Sequence, residues 1–257
     1  MPYLTVGGHK LYYEWRGEHD PARDAVIFLH HGLGAVGSWK DLPDRIAEAT
    51  GLNALVYDRL GYGLSDARMD FPHGFMEAEV LLLLEMFELV DIGRAHLVGH
   101  SDGGSIALLL AARYPERVVT LVCEAAHSFV EPETQSAIRK LLAEQAAGRT
   151  PEWLTRLHGE RAGDLLRAWG NGWLTAQHTR WSIEDWLGYV TCPTLVIQGD
   201  QDEYGTLDQV TAITNRIGGS EKWILPGGGH APHADQPEVF CERVTAHIAS
   251  HTASDRD

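Results

Sequence analysis

Residues 97–106 read Leu-Val-Gly-His-Ser-Asp-Gly-Gly-Ser-Ile: an apolar run enters a serine with glycine two positions to either side, and a helical pattern follows. No other stretch limits the fold so tightly. A serine on a sharp strand-to-helix turn occupies a strained backbone conformation, and side chains two positions before and after it collide, which accounts for Gly99 and Gly103 around Ser101. The pattern reads as a nucleophile elbow that exposes the Ser101 hydroxyl; the competing reading is an ordinary glycine-rich strand-helix turn.

The chain around it alternates strands and helices. Residues 10–16 alternate apolar and polar side chains after Gly7-Gly8, the pattern of an opening antiparallel hairpin. Residues 25–29 and 52–57 are short continuous apolar runs, as expected of strands covered on both faces. Ser38 is placed to cap a helix running to Ala47, and residues 76–90 form an apolar helix with a limited wet face of glutamates. A helix follows Ser101 until Pro115, and residues 118–123 form another buried strand. Strand, helix, strand in this order predicts a parallel sheet.

From residue 124 to 190 the alternation stops. Helical patterns and five of the eight tryptophans (Trp153, Trp169, Trp173, Trp181, Trp186) occupy the interval. An all-helical insertion between strands of a parallel sheet reads as a cap over their carboxyl ends, so residues 1–123 and 191–257 form the expected core and 124–190 the cap. The sheet resumes at residues 194–198, Thr206 caps a helix to about Ile217, residues 222–225 form a last strand, and 238–248 a last helix.

A serine nucleophile needs a base, and the base needs an orienting acid, because a free hydroxyl is barely ionised at neutral pH. Gly199-Asp200-Gln201-Asp202 and Gly227-Gly228-Gly229-His230 each follow a strand, so both loops fall at the sheet edge that carries the elbow, in the order serine, acid, histidine. Asp202 is the expected acid, with Asp200 and Glu124 as rivals, and His230 the expected base. Two backbone donors for an oxyanion are expected from the amide of Asp102, directly after the nucleophile, and from that of Leu33 in the loop after residues 25–29.

Bulk properties narrow the function. At 257 residues and a net charge of −15, the chain fits one domain and lacks the basic face that a nucleic acid or an anionic membrane surface requires. The same charge gives no electrostatic help to an anionic substrate. Cys123, Cys192 and Cys241 are widely spaced, without metal-ligand or disulfide patterning, which suits a reducing compartment. No leader-like or bilayer-spanning stretch is evident, and a cytoplasmic location is expected. The fourteen histidines include His230-Ala231-Pro232-His233 but no metal-binding pattern, so no metal and no cofactor are implied. Gly32-Leu33-Gly34-Ala35-Val36-Gly37 with Asp58 one strand later imitates a dinucleotide-binding fingerprint, but that reading treats Ser101, Asp202 and His230 as accidents.

Together, His31-Gly32, the Asp58-Arg59-Leu60-Gly61-Tyr62-Gly63-Leu64-Ser65 run, the elbow, residues 199–202 and Gly229-His230 resemble the α/β-hydrolase superfamily, of the capped type that includes bacterial enol-lactonases and valacyclovir-hydrolase-like esterases. The resemblance implies an eight-stranded, mostly parallel sheet with helices on both faces and a helical cap. It matches Ser101, Asp202 and His230 to a triad, and Leu33 and Asp102 to an oxyanion hole. A serine at the elbow, in place of aspartate, sets the chain apart from haloalkane dehalogenases and epoxide hydrolases. Asp235, where many relatives place glutamate, is expected to affect loop packing only. The implied activity is hydrolysis of a carboxylic ester or lactone of a small molecule; a carbon-carbon hydrolase, a thioesterase and a receptor-like binding protein are the alternatives. His100 is read as a packed core residue. His127, Phe129, Trp169, Trp173 and Trp181 are the candidate substrate-binding residues, favouring an apolar or aromatic group.

Overall fold

The computed structural model describes residues 2–17 and 20–252; Met1, residues 18–19 and residues 253–257 of the expected core lie outside them. Strands β1 (Tyr3–Val6) and β2 (His9–Arg16) form the hairpin that the alternation predicts. They are followed by β3 (Ala25–Leu29), α1 (Leu42–Thr50), β4 (Asn53–Tyr57), α2 (Phe75–Leu89), β5 (Ala95–His100), α3 (Asp102–Arg113) and β6 (Val118–Glu124). The next four helices are α4 (Pro132–Ala146), α5 (Glu152–His158), α6 (Ala162–Trp173) and α7 (Glu184–Leu187). The chain ends with β7 (Thr194–Gly199), α8 (Leu207–Arg216), β8 (Glu221–Leu225), α9 (Pro232–Asp235) and α10 (Pro237–Thr252).

Eight strands form one sheet in the order β1-β2-β4-β3-β5-β6-β7-β8. β2 pairs antiparallel with β1 and β4, and every later pairing is parallel. The apolar strands explain how helices cover both faces. Along β3, Ala25, Ile27 and Leu29 join the core under α2 and α3, while Val26 and Phe28 join the core under α1 and α10. All five side chains are buried, each contributing about 1.5–3 kcal/mol for the larger ones. An aspartate in place of Val98 would put an unpaired charge into this layer.

Two local expectations are corrected. Ser38 does not cap α1. It lies in a 3-10 turn, Val36–Trp39, where its hydroxyl accepts the Ala35 amide at 3.1 Å. Lys40, at φ 51°, breaks the chain direction before α1 begins, with Pro43 in its first turn. The dinucleotide-like glycines likewise enter this 3-10 turn and not a long helix. Asp58 is consumed by the Val36 and Leu64 amides, at 2.6 and 2.7 Å, so it holds two loops together.

Between β6 and β7 the secondary structure is helical apart from one antiparallel bridge, Phe129 to Ser182. Thr206 caps α8 as predicted, accepting the Asp208 amide at 3.1 Å. The three cysteines are free and buried. No helix among the described residues is long and apolar enough to cross a membrane.

Candidate active site

β5 delivers Ser101 into a backbone conformation, φ 54° and ψ −119°, that L residues rarely adopt. A Cβ on Gly99 would overlap the Gly103 carbonyl, and one on Gly103 would overlap the Leu29 carbonyl. Glycine is therefore required at both positions for the turn to close against β3. The Ser101 amide donates to the Glu124 carbonyl at 2.8 Å, which fixes the elbow to the end of β6.

The loops after β7 and β8 meet this elbow. His230 Nε2 lies 3.0 Å from Ser101 Oγ, and its Nδ1 lies 2.8 and 2.9 Å from the two carboxylate oxygens of Asp202. With Nδ1–H donating to Asp202, Nε2 is the free acceptor for the Ser101 proton. The two loops also hold each other. The Gly227 amide donates to Asp200 at 2.7 Å, and the Gln201 amide donates to the Gly228 carbonyl at 2.9 Å. Asp235 accepts the Gly229 amide at 2.8 Å, a loop-packing contact as expected.

Burial works against charge on His230, but the hydrogen bond and negative charge of Asp202 outweigh it and raise the imidazole above its ordinary value. Burial likewise opposes ionisation of Asp202, yet the bond from His230 holds its carboxyl below the usual range. The pair is thus set up for an ionised acid beside a histidine that accepts protons readily. Neither rival acid touches His230. Asp200 clips the glycine loop, and Glu124 binds His233, through its amide at 2.7 Å and its ring Nδ1 at 2.9 Å.

The loop that carries Leu33 is equally ordered. His31 Nδ1–H donates to the Gly32 carbonyl, and because that peptide is planar and trans, its N–H, which belongs to Leu33, points the opposite way. Leu33 itself has φ 67°. His158 of α5 donates from Nε2 to the Leu33 carbonyl at 2.7 Å while its Nδ1 accepts the Gly63 amide at 2.9 Å, so the helical segment buttresses the same loop. Asp102 opens α3, where the first amides have no carbonyl a turn earlier.

A cavity of about 280 Å³ lies over Ser101, Leu33 and Asp102. His127, Trp169 and Trp173 line it, as the sequence suggests, together with Trp153, Ile138 and Tyr204. Phe129 and Trp181 do not line it. The Phe129 backbone is taken up by the Ser182 bridge and by Gln209, whose amide donates to its carbonyl at 3.0 Å. Trp181 stacks on His178 at 5.6 Å, behind Trp173.

Sequence reasoning assigned Asp102 only through its amide. Its carboxylate is buried, accepts Trp169 Nε1–H at 3.0 Å, and lies 4.0 Å from Arg59. Burial raises its pKa above the usual carboxylate range, and Arg59 opposes the shift. Arg59 also donates to the carbonyls of His30 and His31, at 3.2 and 3.0 Å. Its place in the Asp58 to Ser65 run was the available signal. Tyr204, two residues beyond Asp202, donates its amide to that carboxylate at 2.8 Å and packs its ring 4.6 Å from His230.

A model of the alpha/beta hydrolase family matches residues 26–243. The chain belongs to this family, and it is an enzyme of the hydrolase type. Among curated relatives, the human serine hydrolase BPHL is 27% identical over 247 residues, covering 92% of this chain and 82% of that protein. The 2-hydroxy-6-oxo-6-phenylhexa-2,4-dienoate hydrolase of Burkholderia cepacia is 26% identical over 244 residues, 84% of this chain and 85% of that one. In fold, this α/β hydrolase is similar to MGS-M2, an alpha/beta hydrolase from a Medee basin deep-sea metagenome library. The TM-score is 0.82 with 21% identity over 96% of this chain and 97% of that one. The enol-lactonase from Burkholderia xenovorans LB400 is similar at a TM-score of 0.76, with 19% identity, covering 96% and 99%.

Proposed function

We propose that this α/β hydrolase is a serine hydrolase that cleaves a carboxylic ester or lactone of a small molecule through an acyl-enzyme. The observation that carries the reading is the unbroken hydrogen-bond chain from Ser101 Oγ through His230 to Asp202, with the serine on a strained elbow. Ser101 Oγ attacks the carbonyl carbon as His230 Nε2 takes its proton, and Asp202 holds the imidazolium that forms. The amides of Leu33 and Asp102 receive the oxyanion, each worth about 10²- to 10³-fold in rate. His230 returns the proton to the departing alkoxide. Water then enters and its oxygen bonds to the acyl carbon as His230 takes its proton; His230 returns that proton to Ser101 Oγ as the acyl–Oγ bond breaks and the acid leaves.

Residues 124–190 act as a cap in this reading, supplying Trp153, Trp169 and Trp173 to the cavity wall and His158 to the donor loop. Apolar walls around few polar groups favour an apolar or aromatic portion next to the scissile carbonyl. A fluorophosphonate probe tests the assignment. A single adduct on the peptide that contains Ser101, together with turnover of p-nitrophenyl esters, is the expected result. Turnover without any adduct on that peptide overturns the mechanism. A stoichiometric burst with no further release marks a binding protein.

A further inference from the structure

A second concavity, of about 640 Å³, adjoins the Ser101 cavity through His31, His100 and Trp153, which line both. Its wall carries Lys40 and Arg156, and no carboxylate lines it among the described residues. The concavity reached past Leu141 and Tyr204, of about 590 Å³, has the opposite character, with Glu133, Glu144 and Glu203 against Lys140. In a chain with 36 acidic and 21 basic residues, a groove beside the nucleophile whose lining carries Lys40 and Arg156 and no carboxylate departs from the surface average.

Lys40 and Arg156 are also unspent. Neither side chain makes an ion pair or hydrogen bond among the described residues. Lys40 sits at φ 51° and ψ −126°, almost the conformation of Ser101 at 54° and −119°, in a region that glycine occupies far more readily. A lysine held there is strained backbone. Three separate segments converge on the groove: the turn that ends at Lys40, helix α5 with Trp153 and Arg156, and α9 with His233. Burial holds His31 down to about 3 and keeps His100 well below its ordinary value, and the His233 ring is turned to the Glu124 carboxylate, so Lys40 and Arg156 are the permanent positive charges on the wall.

We infer that this groove is an anion subsite, in which Lys40 and Arg156 bind a carboxylate at the distal end of the substrate while its ester reaches past His31 and Trp153 to Ser101. The inference rests on the serine-hydrolase reading and adds the substrate class: esters of acids that carry a second, ionised carboxyl group. The overall charge of −15 opposes such substrates at long range, and the local pair of cations reverses the sign where binding occurs.

The test compares the mono-p-nitrophenyl ester of adipic acid with p-nitrophenyl hexanoate. Wild-type enzyme is expected to favour the charged ester in kcat/KM, with the preference shrinking at high salt. In the Lys40→Gly, Arg156→Gln double variant the preference falls about fivefold, mainly through KM for the charged ester. Glycine at position 40 keeps the backbone conformation, so the fold is preserved. Calorimetry of monomethyl adipate with Ser101→Ala protein reads the subsite without turnover, and affinity should drop by a similar factor when both cations are removed. A preference that the double variant leaves unmoved, a proportional fall for both esters, or an unchanged calorimetric affinity overturns the subsite. Failure to hydrolyse either ester refutes the hydrolase reading instead, and calorimetry still decides the subsite.

Discussion

Glu124 grips His233 by backbone and ring at once: its carboxylate accepts the His233 amide at 2.7 Å and sits 2.9 Å from ring Nδ1. The main-chain carbonyl of the same glutamate accepts the Ser101 amide. One residue at the end of β6 therefore ties the Ser101 turn to the segment three residues beyond His230. His100 adds a second tie, with Nε2–H donating to the His230 carbonyl at 2.7 Å.

Glu124→Gln separates positioning from acid function. Glutamine keeps one acceptor oxygen but replaces the other, which lies 2.9 Å from His233 Nδ1, with an NH2 and carries no charge, so the grip weakens and stability should fall by about 1–3 kcal/mol. Displacement of the His230 loop should lower kcat by less than about 10²-fold. Thermal melts and ester kinetics on the same preparation check both. A loss as large as that of an Asp202 variant would move the acid role to Glu124.

Asp202→Asn keeps the shape of the acid but presents an amide to His230 Nδ1, which favours the wrong tautomer. A loss of roughly 10⁴-fold in kcat is expected with the fold intact. Steady-state kinetics with p-nitrophenyl acetate, beside circular dichroism, measure it.

The pH profile follows from the His230 shift. The base works when neutral, so kcat/KM rises with pH through its titration in the free enzyme. Because Asp202 raises that titration, the acidic limb should have its midpoint above 6.5, the ordinary value for histidine. In Asp202→Asn the limb should move to lower pH, since the bond and charge that favour the imidazolium are weakened. A midpoint below 6.5 in the wild type contradicts the coupling.

Under the proposed function, the tryptophan wall is expected to set chain-length and aromatic preference. Alanine at Trp169 or Trp173 should raise KM for long or aromatic esters more than for acetate. Each costs about 3–5 kcal/mol of stability, so melts must accompany the kinetics. Trp181→Ala should destabilise without changing the ester preference, because its ring packs on His178 outside the cavity.

Much of the frame was legible because it depends on local chemistry. The apolar runs of β3 and β6 coincide with the strands to within a residue, and Gly99 and Gly103 announce a turn that only glycine permits. Parallel strands then place three loops at one edge, which is how Ser101, Asp202 and His230 could be paired without coordinates. The misses depend on contacts distant in sequence. Nothing local says that Trp153 faces the cavity and Trp181 does not, or that Ser38 turns to the Ala35 amide and not to a helix. The Asp102 carboxylate is explained only by Trp169 and Arg59, 67 and 43 residues away.

The central claim is that the Ser101 hydroxyl is the nucleophile, and the direct measurement is hydrolysis of short p-nitrophenyl esters by folded Ser101→Ala protein. Loss of roughly 10⁴- to 10⁶-fold in kcat, with the melting transition retained, is the predicted result. Unchanged turnover in a folded Ser101→Ala enzyme contradicts it.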